Sequence, residues 1–167
     1  VGTRGGAQDH VAIVCNQAET VGAYRYLPAE RVGRAAFPAH WSIIVGVSGV
    51  RATKTGGALA DYNRASDVVR DLLGLWNRGT GRLDPSLGSA LRSSPQAPER
   101  LADLARNAPD APWFLARIEQ FRSETERVVP QALLAFANAD AALLGRLSVE
   151  SQQRAETALH NQIPETM

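Results

Sequence analysis

Cysteine is almost missing from this chain. Cys15 is the only one in 167 residues, so an intrachain disulfide framework is excluded. Lysine is equally scarce: Lys54 stands alone among 18 basic residues, and codon usage accounts for this better than phosphate binding. Charge of one sign is not in excess either. The formal net charge is +1, which gives no reason to expect a nucleic-acid or membrane partner. The three histidines, His10, His40 and His160, have no zinc-like spacing. No signal peptide is visible and no apolar run is long enough to span a bilayer. The expectation is a soluble cytoplasmic protein.

What is present is a globular composition. The apolar fraction of 44% argues for a packed core and against disorder. The first ten residues, Val1-Gly-Thr-Arg-Gly-Gly-Ala-Gln-Asp-His10, carry three glycines and a threonine ahead of an acid. Glycine lets a backbone approach a ligand closely. An acid in a first helical turn is held as carboxylate by the helix dipole. Asp9 therefore suits a proton acceptor beside a small bound molecule, or alternatively a plain helix cap. The run Val11-Ala-Ile-Val-Cys15 makes Cys15 an expected small core residue.

The periodicity predicts a mixed α/β (α+β) chain. A short helix is expected from Gln8 to about Ala18. Strands are expected at Val21–Tyr26 and Glu30–Phe37, with Pro28 in the turn between them. His40–Val47 reads as the strongest strand, β-branched and apolar enough for a central position. A helix should start near Gly57, run to Trp76 and pack on the sheet, with Leu59, Tyr62, Val69, Leu72, Leu73 and Trp76 as its stripe. A loop with a short helix near Leu87–Leu91 follows. The rest reads helical: Glu99–Arg106, then Ala111–Val128, a break or restart at Pro130, and Gln131–Asn138. Asp140 should cap a helix through Leu147, and Ser148–His160 should follow.

Arg51, on a turn after the apolar run, and Asp9 are the charged residues on suspected ligand-facing turns. An acid to take a proton and an arginine to hold anionic charge suit phosphoryl transfer. A surface ion pair is the alternative for Arg51, helix core for Tyr62, and a hydrogen-bonding helix end for His10. Ser151-Gln-Gln153 reads as a solvated helix face. The spacing itself reaches only a ligand-binding α/β protein.

The order of motifs resembles the middle and C-terminal part of a GHMP-family small-molecule kinase, closest to the galactokinase branch. Gly2-Thr-Arg-Gly-Gly-Ala-Gln-Asp-His10 resembles the segment that carries the family's catalytic aspartate. Val47-Ser-Gly-Val-Arg51 resembles its turn after an apolar strand, and Ala60-Asp-Tyr-Asn-Arg64 a segment on the next helix. Phe136 through Thr166, with Glu150-Ser-Gln152 and Pro164-Glu-Thr166, resembles its C-terminal helices. The resemblance covers most of the chain except about Asn77–Pro109.

It implies a GHMP-kinase-like fold with a small, largely antiparallel sheet and a helical C-terminal half. Residues 1–18 would be a remnant of the N-terminal kinase domain and 19–167 part of the C-terminal domain. It implies Asp9 as base, Gly6 and Tyr62 as sugar contacts, and Arg51 as electrostatic support. ATP and Mg²⁺ are the implied cofactors and a galactose-like sugar the implied substrate. His10 stands where galactokinases usually have Gln, Gln152 where many have His, and the stretch from Arg51 to Tyr62 is a few residues longer. The family's N-terminal sugar motif, its Gly-rich phosphate loop and its late Gly-rich motif are not found. The expectation is a fragment, inactive alone, of an ATP-dependent sugar 1-kinase. The rival expectation is a non-catalytic, kinase-like sugar sensor or interaction protein.

Overall fold

A computed structural model of the chain describes residues 8–47, 49 and 58–160, with the backbone alone for 58–62. It is mixed α/β and mostly helical. The residues fall into two compact units, one holding 58–121 with 155–160, the other holding 8–47 and 49 with 122–154.

The first unit is built on α2 (Ala58–Thr80). Its apolar residues recur at helical spacing, which buries Leu72 and Trp76 and half-buries Val68, Val69 and Leu73. Gly81, at φ +71°, closes the helix in the left-handed conformation that glycine takes without a Cβ penalty. The short α3 (Leu87–Leu91) is capped by Ser86, whose hydroxyl accepts from the Ser89 N–H at 3.1 Å. Next, α4 (Ala97–Arg106) has Pro98 at its start, Glu99 in the first turn and Arg106 in the last, matching the helix dipole. It buries Leu101 and Ala105. Phe114 and Ile118 of α5 (Ala111–Arg122) complete the core. Among the described residues of this unit, α3, α4 and α5 fill the stripe of α2.

The second unit begins with α1 (Gln8–Cys15), in which only Val11 is buried. Cys15 is exposed, contrary to the expected core thiol. The helix is apolar on several sides, so one buried contact leaves the others outside; Ile13 and Val14 are exposed too. Strands β1 (Thr20–Arg25) and β2 (Glu30–Ala36) form an antiparallel hairpin from Thr20↔Ala36 to Arg25↔Glu30, with a bulge at Ala23/Tyr24. Across it lies α6 (Val129–Ala137). A Cβ on Gly33 would strike the Leu133 side chain, so the glycine permits the close approach. Phe136 meets Phe37 and Trp41 at ring separations of 6.1 and 5.6 Å.

The expected strand at Trp41–Val47 is not formed. Trp41 is anchored by the two phenylalanines, but Ile43, Ile44, Val45 and Val47 are all about 80–90% exposed. β-Branched residues favour a strand only where a neighbour pairs with it. Among the described residues the sheet has two strands, and neither pairs with this run.

Pro130 lies in the first turn of α6, yet the chain does not break there. Ser123–Val128 forms a π-helical turn joining α5 to α6, and the Val129 N–H bonds the Glu124 carbonyl five residues back. Proline's missing N–H is tolerated by this wider register. Asp140 caps α7 (Ala141–Arg154) as expected, its carboxylate accepting from the Leu143 N–H at 2.8 Å. No break occurs at Ser148; α7 continues to Arg154 and passes into a second π-helical turn, Ala155–Leu159. Ser151, expected on a solvated face, is half-buried and donates to Glu124 at 2.8 Å.

Candidate functional site

Asp9 sits in the first turn of α1 and is exposed. A turn at Ala18 and Glu19, the latter at φ 59°, joins α1 to β1. Asn16 supports this turn by donating to the Thr20 carbonyl at 3.0 Å. The Tyr24 hydroxyl donates to the Cys15 carbonyl at 2.9 Å, tying β1 to the end of α1. Gly22 makes room for that: a Cβ there would come within 2.6 Å of the Tyr24 ring and 2.8 Å of Asn16 Oδ1.

Tyr26, just past β1, is 39% exposed. Its phenol is held above the ordinary value, first by burial, then by the negative charge of Asp9 and by Tyr24. Asp9 and Tyr26 therefore lie within electrostatic reach of each other. Nothing in the hydropathy pattern marked Tyr26, which lies in the turn after β1.

Gly6 and Arg51 lie outside the described residues. Tyr62 is on α2, and its side chain lies outside them too. Asp9 belongs to the second unit and Tyr62 to the first. His10, expected at a helix end, is exposed on α1.

The first unit also holds a cleft of about 440 Å³. Arg64, Asp67, Val68 and Asp71 line it from one face of α2; Asp110, Trp113 and Phe114 line it from the start of α5. The spacings i, i+3, i+4 and i+7 put the four α2 residues on one face. The Arg64 guanidinium stands 5.2 Å from the Trp113 ring centre, and His160 meets that ring at 5.1 Å. Asp67 and Asp71 both accept from Arg70, at 2.7 and 3.1 Å. The cleft is thus a groove with an aromatic wall, in which Asp67 and Asp71 are already bonded to Arg70. Among the described residues no group of His, Cys, Asp and Glu could hold a metal ion. None is long and apolar enough, as a helix, to cross a membrane.

Comparison with family models, with curated proteins and with solved structures finds no match to this chain.

Proposed function

We propose that the chain is part of an ATP-dependent sugar kinase that phosphorylates the anomeric hydroxyl of a galactose-like sugar. The observation that carries this reading is Asp9 itself: it follows a Gly-rich stretch directly, opens a helix, and is followed by the remaining kinase-like motifs in the family's order. ATP with magnesium supplies the phosphoryl group in that chemistry. Asp9 accepts the hydrogen of the anomeric hydroxyl as its oxygen bonds to the γ-phosphorus. The leaving group is ADP.

The test is Asp9→Asn in the gene's full-length product, with single-turnover phosphorylation and sugar affinity measured on the same variant. Asn keeps size and most hydrogen-bonding capacity but accepts no proton. Turnover should fall about a hundredfold to ten-thousandfold, the usual worth of general-base assistance, while sugar binding survives. Near-wild-type phosphorylation would leave Asp9 a helix cap. A wild-type protein that binds sugar and transfers nothing would be a sensor instead.

A further inference from the structure

We draw no further inference here: the strongest candidate, the cleft that Asp67, Asp71 and Asp110 line between α2 and the start of α5, carries nothing because its carboxylates form an acidic cluster and no second feature of the structure points to a ligand there.

Discussion

Asp84 carries more than its size suggests. Its carboxylate accepts from the indole N–H of Trp76 at 2.7 Å and from Arg82 at 2.6 and 3.0 Å. Its backbone exchanges hydrogen bonds with the Asn77 side chain at 3.0 and 3.1 Å. Trp76 is only 2% exposed, so its N–H has little water to fall back on. Asp84→Ala should cost about 1–3 kcal/mol, the penalty for an unsatisfied buried donor. Asp84→Asn keeps an acceptor and should cost less. Arg82 first, and then Trp76, hold the Asp84 carboxyl below its ordinary value of 3.8. A depressed folded pKa stabilises above the ordinary value, and that stability is lost as pH falls through the folded one. The gap between wild type and Asp84→Asn should thus be full at neutral pH and close from about pH 5 downward. Urea midpoints across that range check it; a gap that widens in acid would contradict the assignment. At this scale Trp76 was legible because it falls on a helical period. Cys15 was misread because α1 has no single apolar face to say which residues turn inward. Tyr26 was missed because a turn residue has no period at all.

Among the elements, α7 shows most simply how a local signal sets a boundary. Asp140 precedes an apolar helix and its side chain satisfies the Leu143 N–H. Asp140→Ala should cost about 1 kcal/mol, and Asp140→Ser should restore much of it, as read from thermal or denaturant unfolding. Equal loss in both variants would mean that the cap does not hold the helix start. Caps, helical periods and the Pro28 turn were readable, and the hairpin and most of the expected helices appear close to their expected ranges, while the two expected on either side of Ser148 are one helix. The strand at Trp41–Val47 was not, because β-branched composition reports a preference and pairing requires a partner elsewhere. Pro130 marked a change of helix correctly, but its effect was a shift in hydrogen-bond register, which composition does not encode. Of the four residues expected in the site, only Asp9 has its side chain among the described residues, and it stands at the helix start its neighbours predict.

Across the whole molecule, each unit has its own apolar centre: the Leu72–Trp76 cluster in one, and the hairpin under α6 in the other. Outside both lies the run from Ile43 to Val47, uncharged and largely exposed. Such runs favour intermolecular pairing. Ile44 is 91% exposed, so Ile44→Lys should change folding stability by less than about 0.5 kcal/mol. It should also reduce concentration-dependent light scattering. A large loss of stability would mean that Ile44 is covered in solution. The π-helical turn at Ser123–Val128 bears on a different property, the chain's tolerance of changes in length. A π turn holds one residue more than the α-helical register needs. Deleting a single residue from this turn should let α-helical bonding run straight through, with the flanking turns keeping their partners. The same deletion inside α2 would rotate everything beyond it by about 100°, one residue's share of a 3.6-residue turn, and pull Leu72 or Trp76 off the buried face. A deletion series read by folded yield should therefore find its permissive position in Ser123–Val128, where this helix carries a spare residue.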